Sequence, residues 1–209
     1  MSSVNIGVLI SGGGTNLQAI IDNVEKGNID GEIKVVISNR RDAYGLNRAR
    51  NAGIEALYMD EGEYDTEEEF NRGILKELEN RDIELLVLAG YMKVLPKEFV
   101  DRYPGRIINV HPSLIPSFCG KGCYGDRVHR MALDYGVKIT GVTVHFVDEG
   151  TDTGPIILQR AVEVMDGDTV ETLKERVLKV EHEALPEAIS LYCQGRLTIE
   201  GRRVIIDQR

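Results

Sequence analysis

Apolar and polar positions along the chain follow two alternating patterns. Short, nearly continuous apolar runs, as at residues 4–11 and 85–89, are typical of strands buried on both faces. Elsewhere apolar residues recur every three or four positions, as at 16–25 and 66–80, which predicts amphipathic helices. Repeated strand–helix units predict an α/β fold with an open, mostly parallel twisted sheet and helices on both faces.

The remaining elements are predicted from the same patterns. We expect further strands at 33–38, 54–59, 107–110, 138–146 and 156–164, and further helices at 44–51, 96–103, 127–135 and 169–192. The last helix should be interrupted or kinked near Pro186. Thr66 and Glu69 have the spacing of a capping box, and short strands either side of Glu200-Gly201 predict a hairpin.

Size and composition favour one globular domain. The chain has 209 residues, of which 42% are hydrophobic and 28% charged. We expect a single domain at 1–209, with halves at about 1–100 and 101–209 that share one sheet. A net charge of −9 argues against a nucleic-acid surface, because phosphate binding needs clustered Lys and Arg.

Cysteine usage and apolar segments indicate the compartment. Three cysteines, an odd number, do not suggest a disulfide framework. The start, MSSVNIGVLISGGG, lacks the basic region of a secretory leader, and no apolar run approaches the roughly 18 residues of a membrane span. We therefore expect a cytoplasmic protein without membrane contact, as a monomer or homodimer.

Ligands in open α/β sheets bind beyond the carboxyl ends of the strands. That rule points to the segments at 11–16, 89–95, 109–117 and 147–154. The first, Ser11-Gly-Gly-Gly-Thr-Asn16, follows a strand and opens a helix, so its amides and the helix N-terminus suit a phosphate. It is neither a Walker A loop nor a dinucleotide motif, and the alternative is a tight turn capped by Thr15 or Asn16.

The segment Asn109-Val110-His111 places two polar side chains on one face at a strand end. Asn109 offers an amide donor to a developing oxyanion, and His111 offers a proton near neutral pH. The alternative is a strand-end histidine bonded to the backbone. Pro112 and Pro116 should stiffen the loop that follows.

An acidic loop at 148–155 carries a carboxylate that could act on this histidine. Asp152, flanked by small residues, is the candidate, since a carboxylate beside a histidine stabilises the imidazolium and raises its pKa. The alternatives are an ordinary polar turn or a calcium loop, although the EF-hand spacing is missing.

A zinc site competes for the same histidine. His111, Cys119, Cys123 and His129 fall within nineteen positions, but their spacing matches no C-x2-C knuckle. We therefore disfavour a structural zinc. His145, at a strand end, could support the neighbouring loop, and His182 is expected at the surface.

Four segments together resemble a known family. VLISGGGTNLQAII, LAGYMKVLP, INVHPSLIPSF and GVTVHFVDEGTDTGPIILQ occur in the order found in the phosphoribosylglycinamide formyltransferases, of the folate-dependent formyltransferase superfamily. The similarity runs from about residue 4 to 195. It implies transfer of a formyl group from 10-formyltetrahydrofolate to the amine of 5-phosphoribosylglycinamide, in purine (IMP) biosynthesis. No permanently bound cofactor is implied, since the folate is a co-substrate.

The resemblance also implies site residues. The catalytic trio corresponds to Asn109, His111 and Asp152. The N-terminal half would bind the ribonucleotide phosphate, and Glu181 matches an acidic residue near the ribose. The implied ribonucleotide-binding residues are Gly14, Thr15, Asn16 and Glu181. The implied folate-binding residues are Met92, Lys93, Val94, Leu95, Asn109, Asp148, Glu149, Gly150 and Thr151.

The implied chemistry agrees with these residue types. Asn109 and a protonated His111 would stabilise the formyl oxygen, each donor contributing roughly 10²–10³-fold. His111 would protonate the leaving folate nitrogen, directly or through water, and Asp152 would keep His111 charged. No step requires a metal.

Two departures from the family pattern stand out. The loop after His111 is a few residues longer, with Phe118-Cys119-Gly120 in place of Phe-Pro-Gly, and Glu67 stands where some members place a folate-contacting Arg. The alternatives within the superfamily are a formyltetrahydrofolate deformylase and a methionyl-tRNA formyltransferase, each of which carries an additional domain. A non-catalytic nucleotide- or folate-binding protein would have no use for the trio.

Overall fold

The computed structural model describes residues 3–208. Met1 and Ser2, the first residues of the segment considered for a leader, and Arg209 lie outside the described residues. The chain forms two compact units, with the division between Ile108 and Asn109, a little beyond the boundary at about residue 100 that the sequence suggests. That both belong to one formyltransferase domain stays a prediction.

The first unit is built on parallel strands. Its strands are β1 (Val4–Ile10), β2 (Gly31–Ser38), β3 (Glu55–Tyr58) and β4 (Leu85–Leu88), hydrogen-bonded in the order β3-β2-β1-β4. Its helices are α1 (Thr15–Glu25), α2 (Gly45–Asn51), α3 (Glu67–Glu79) and α4 (Lys97–Arg102), with a 3₁₀ turn at Glu61–Glu63. All four residues of β4 are buried, which explains the uninterrupted apolar run.

The capping box predicted for α3 forms only in part. The Thr66 hydroxyl accepts the amide of Glu69 at 3.1 Å, as expected. The Glu69 carboxylate, however, accepts the amide of Asp65 at 3.2 Å. A reciprocal box occurs instead at the start of α6 (Val170–Cys193), between Thr169 and Thr172.

The second unit has a mixed sheet. It contains β6 (Ile139–Phe146), β7 (Ile156–Glu163), β8 (Leu197–Glu200) and β9 (Arg203–Ile206), in the order β6-β7-β9-β8, and the helices α5 (Asp126–Tyr135) and α6. Strand β5 (Ile107–His111) begins just before the division of the units and ends within the second. The pairs β6/β7 and β8/β9 are antiparallel, the latter being the predicted hairpin, and β7/β9 is parallel.

The fold-class prediction is confirmed, with one correction at a helix. The part of the chain that the structure describes is α/β, with nine strands in mixed, mostly parallel pairing. Helix α6 runs continuously through Pro186, so the predicted interruption is wrong, whereas the alternative of a kink stays a prediction. Pro186 and its neighbours Leu185 and Ala188 are buried, and α6 packs on β6 and β7, so packing offsets the hydrogen bond that proline cannot make. Among residues 3–208, no helix combines the length and apolar character needed to span a bilayer.

Candidate active site

The glycine-rich loop of the first unit leads directly into α1. Gly14 is the N-cap residue, in the left-handed conformation at φ +71°, and provides no side-chain cap. The alternative of a turn capped by Thr15 or Asn16 is therefore wrong. A side chain at Gly14 would meet the Cα of Gly45 at 2.5 Å, so this close approach of α1 and α2 requires glycine. No side chain caps the start of α1. Its first backbone amides are therefore suited to donate hydrogen bonds to an acceptor on a ligand.

Two contacts hold this loop in place. The Arg48 guanidinium donates to the carbonyl of Gly13 at 2.8 Å. The Ser11 hydroxyl donates to Asn39 Oδ1 at 2.7 Å and accepts the amide of Met92 at 2.9 Å. Ser11 thereby joins the glycine loop to the segment that follows β4.

That second segment, 92–95, presents apolar side chains. Met92 is 48% exposed and Val94 65% exposed, whereas Leu95 is buried. Lys93 points into an acidic pair instead, with its Nζ 2.7 Å from Glu61 and 3.5 Å from Glu67. Glu67, where some family members place an Arg, therefore serves as a partner of Lys93.

In the second unit, His111 is held between a backbone carbonyl and a carboxylate. Its Nε2 lies 2.9 Å from the carbonyl oxygen of Phe118, and its Nδ1 lies 3.6 Å from Asp152 Oδ2. A carbonyl can only accept, so Nε2 carries a proton in this arrangement. The backbone-bonded histidine of the alternative interpretation is thus present in the structure, and the catalytic role of His111 stays a prediction.

Asn109, two residues before His111 on β5, is oriented by His145 on β6. His145 Nδ1 lies 2.8 Å from the carbonyl of Phe146 and therefore donates, which leaves Nε2 to accept the Asn109 amide at 3.2 Å. One hydrogen of the Asn109 amide is used in this way, and the second stays available to a ligand.

Asp152 faces both histidines. It adopts a left-handed φ of +57°, its Oδ1 lies 3.7 Å from His145 Nε2, and its Oδ2 accepts the amide of Gly120 at 3.0 Å. Burial by itself would raise the pKa of Asp152. The nearby His145 ring, the charge of His111 and the amide of Gly120 outweigh burial, so the pKa of Asp152 lies below its usual value and the carboxylate stays ionised.

Burial dominates the titration of His111. Its side chain is 5% exposed, and desolvation lowers the pKa below the ordinary value of 6.5. Asp152 and the Phe118 carbonyl raise the pKa, as the sequence predicts for Asp152, but they do not offset burial, and His145 lowers it further. His111 is therefore mainly neutral at pH 7 in the unliganded protein.

The loop after His111 contacts both His111 and Asp152. The carbonyl of Phe118 meets His111, and the amide of Gly120 meets Asp152, with Cys119 between them. Phe118 has a φ of +50°, which is uncommon for a residue with a Cβ. Its ring packs edge-to-face on Tyr135 of α5, with centroids 6.0 Å apart. We refer to residues 118–123 as the capping loop.

The other sequence-predicted binding residues of this unit lie on the acidic loop and on α6. Asp148 Oδ1 accepts the amide of Gly150 at 3.0 Å and the hydroxyl of Thr153, which folds the loop on itself. Glu149 at its tip is exposed and Thr151 is half-buried. Glu181 is buried within α6.

The zinc alternative has no supporting geometry in the described residues. Within 3–208, no three His, Cys, Asp or Glu side chains are grouped so as to hold a metal ion. Cys119 Sγ contacts the carbonyl of Pro116 at 3.3 Å, and Cys123 Sγ contacts Met131 Sδ at 3.9 Å. His129 is buried on α5, and burial, reinforced by the charge of Lys174, lowers its pKa to about 4.

Sequence reasoning missed Phe118 and Gly120, and it named His145 only as a support for the neighbouring loop. His145 stands at the carboxyl end of β6, so the rule that selected Asn109 and His111 could have selected it as a site residue too. Phe118 and Gly120 act through backbone atoms, and residue type carries no signal for such contacts.

Comparison with known proteins identifies the family. The family model described as Formyl transferase matches residues 4–189. The chain belongs to the formyl transferase family. It is 41% identical to the phosphoribosylglycinamide formyltransferase of Escherichia coli (strain K12), over 98% of this chain and 94% of that protein.

Two further comparisons define its place in this family. The glycinamide ribonucleotide transformylase 1 structure from Symbiobacterium toebii superposes with a TM-score of 0.93 at 51% identity, covering 98% of this chain and 94% of that one. The trifunctional purine biosynthetic protein adenosine-3 of Gallus gallus is 44% identical over 95% of this chain, which spans only 19% of that longer protein. The chain is an enzyme of the phosphoribosylglycinamide formyltransferase family, as its four sequence segments predict.

Proposed function

We propose that this chain transfers the formyl group of 10-formyltetrahydrofolate to the amine of 5-phosphoribosylglycinamide, in purine biosynthesis. The products are the N-formyl ribonucleotide and tetrahydrofolate. The proposal includes a cytoplasmic location and small-molecule substrates only, the folate being consumed as a co-substrate.

One observation carries the proposal, namely the cluster of Asn109, His111, His145 and Asp152 in the second unit. It combines an amide donor, a titratable imidazole and an ionised carboxylate within hydrogen-bonding or ion-pair reach of one another. Relatives that match nearly the whole chain carry the name phosphoribosylglycinamide formyltransferase. Formyl transfer between two amines needs the chemistry that this cluster offers.

The chemistry follows from these positions. The substrate amine attacks the formyl carbon, and negative charge develops on the formyl oxygen. The free hydrogen of the Asn109 amide donates to that oxygen, an interaction of the kind that contributes roughly 10²–10³-fold. His145 fixes the direction in which the amide points.

Proton transfer is assigned to His111. Attack leaves a positive charge on the incoming nitrogen, and the neutral imidazole accepts its proton. The imidazolium is then stabilised by Asp152 at Nδ1 and donates from Nε2 to the departing folate nitrogen, so that the tetrahedral carbon collapses to the new formamide. General acid–base help of this kind contributes roughly 10²–10⁴-fold. Nε2 can act only when the Phe118 carbonyl has left it.

Binding is assigned to segments of each unit. In the first, Gly14, Thr15 and Asn16 at the start of α1 would hold the ribonucleotide phosphate, and Met92–Leu95 would hold folate on the exposed apolar side chains. In the second, Asp148, Glu149, Gly150 and Thr151 would contact the pterin, and Glu181 the ribose side of the ribonucleotide. These assignments come from the family motif. The uncapped helix start and the exposed Met92 and Val94 are consistent with them.

A two-substrate assay tests the proposal. Folded protein is mixed with 10-formyltetrahydrofolate and 5-phosphoribosylglycinamide, and folate absorbance and the formylated product are followed. Turnover that depends on both substrates is expected. Formate release at the same rate without the amine would indicate a deformylase, and no turnover with folded protein would reject both activities.

A further inference from the structure

The capping loop contains two cysteines that the formyl-transfer chemistry leaves unused. Cys119 and Cys123 frame the sequence Cys-Gly-Lys-Gly-Cys. Both are free thiols and both are partly accessible. Their sulfurs contact only weak partners, the Pro116 carbonyl at 3.3 Å and the Met131 sulfur at 3.9 Å.

The backbone between the two cysteines is already turned back on itself. The amide of Cys123 donates to the carbonyl of Gly120 at 3.0 Å, which closes a four-residue turn. Gly120 and Gly122 have φ values of +89° and +82°, and nothing lies within 4 Å of a Cβ added at Gly120. These two glycines, of which Gly120 lies in open space and Gly122 lies near the Arg127 side chain, let the chain adjust toward the Cα separation of about 4.4–6.8 Å that a disulfide needs.

The position of Cys119 connects this pair to the catalytic cluster. Its two neighbours make the capping contacts, Phe118 with His111 and Gly120 with Asp152. A covalent bond at Cys119 would therefore restrain the segment whose carbonyl occupies His111 Nε2.

We propose that Cys119 and Cys123 form a reversible disulfide that locks the capping loop on His111 and Asp152. The bond makes the loop a site of oxidative modification and turns formyl transfer off. The second part rests on the proposed function, whereas the first does not.

The oxidant is a small-molecule disulfide of the glutathione type. The Cys123 thiolate attacks one sulfur of this disulfide, expels one thiolate and forms a mixed disulfide. Cys119 then attacks the Cys123 sulfur and expels the second thiolate. The two protein thiols lose two protons and two electrons, and the oxidant takes these up to become two thiols. Cys123 attacks first because burial, together with the charges of Asp152 and Cys123, raises the pKa of the Cys119 thiol.

The turn closed by the Cys123 amide and the Gly120 carbonyl supports the pairing, since it brings the two ends of the five-residue segment back toward each other. The closed ring would be small, so its effect on global stability is modest, but it fixes the local turn. The consequence is kinetic, because the Phe118 carbonyl no longer leaves His111.

Lys121 lies between the two cysteines and makes the bond easy to detect. Trypsin cleaves after Lys121, so residues 107–121 and 122–127 become separate peptides in the reduced protein and stay joined in the oxidised one. The full-length protein is equilibrated in mixtures of reduced and oxidised glutathione, alkylated, digested and weighed by mass spectrometry. The formyl-transfer rate is measured on the same samples.

Variants define the expected result. The joined peptides should form in the wild type and in the matched control Cys193→Ser, and not in Cys119→Ser or Cys123→Ser. The transfer rate of the wild type and of Cys193→Ser should fall roughly 100-fold at full oxidation and recover with reductant. The two loop variants should not respond to the oxidant.

Each contrary outcome has a defined meaning. Separate peptides at every glutathione ratio, or a bond to Cys193, would overturn the disulfide. Joined peptides with an unchanged transfer rate would overturn the lock. If the reduced, folded protein transfers no formyl group, the proposed function fails, and the peptide measurement still decides the disulfide.

Discussion

His111 Nδ1 lies 3.6 Å from Asp152 Oδ2, with the two side chains 5% and 12% exposed. Burial lowers the pKa of the imidazole, and the carboxylate raises it by a smaller amount. His111 is therefore neutral in the unliganded protein and can be protonated during turnover.

Replacement of Asp152 tests this relationship. Asp152→Asn removes the charge that raises the His111 pKa, so the pKa should fall further and kcat should drop roughly 10²–10⁴-fold, with KM changed less. Nuclear magnetic resonance titration of His111 and the pH–rate profile measure both effects. Asp166→Asn, a surface carboxylate paired with Lys138, is the matched control and should alter neither. An unchanged His111 pKa in Asp152→Asn would contradict the assignment.

His145 is predicted to act through Asn109. His145→Ala removes the acceptor that orients the Asn109 amide, so kcat should fall by about tenfold or more while the KM for folate stays within about twofold. His145→Gln keeps an acceptor and should recover part of the rate. Steady-state kinetics of the two variants compare them directly. Equal losses in both would indicate that the histidine supports the fold and does not position Asn109.

His129 should make the protein less stable in acid. Its folded pKa is about 4, below the ordinary value of 6.5, so between these values the unfolded chain binds the proton more tightly. The contribution to the free energy of unfolding is complete above pH 6.5 and is lost as the pH falls toward 4. Between pH 7 and 5 the loss should be about 2 kcal/mol. His111 is also buried with a lowered pKa, so it too should reduce the free energy of unfolding as the pH falls.

Urea unfolding at both pH values measures this dependence. The His129→Asn variant should show a pH dependence smaller by about the same 2 kcal/mol, whatever its stability at pH 7. Identical pH dependence in the variant and the wild type would show that His129 is not the group involved.

Gly154 is predicted to be essential to the shape of the acidic loop. A Cβ there would meet the carbonyl oxygen of Phe146 at 1.8 Å, whereas a Cβ at Gly167 has nothing within 4 Å. Gly154→Ala should reduce the free energy of unfolding by about 1–3 kcal/mol and displace Asp152. Gly167→Ala should be neutral or stabilise by up to about 1 kcal/mol. Thermal unfolding and kinetics of the two variants give the comparison, and equal stability would refute the steric argument.

Most of the secondary structure could be predicted because it depends on local periodicity. The apolar runs that became β1 and β4 and the stripe that became α3 are properties of neighbouring residues. Helix α6 shows the limit of such reasoning. Pro186 argues locally for a break, but buried neighbours on both sides keep the helix continuous.

The candidate site was predictable only where side chains carry the chemistry. Asn109, His111 and Asp152 were selected by residue type and by position at strand ends, and the structure brings them together with His145. The capping contacts were not predictable, because they use backbone atoms of Phe118 and Gly120. The lowered pKa of His111 was not predictable either, because it results from burial of the side chain. The spacing of residues along the sequence does not show how deeply a side chain is buried.

The Ser11 hydroxyl, which bonds to both Asn39 and the amide of Met92, links two segments that are assigned to different substrates. A ligand that orders the glycine loop also orders residue 92, and so removes part of the entropy cost of binding at the other segment. The two substrates should therefore bind with positive cooperativity. By linkage the effect is reciprocal, and each should tighten the other by the same factor.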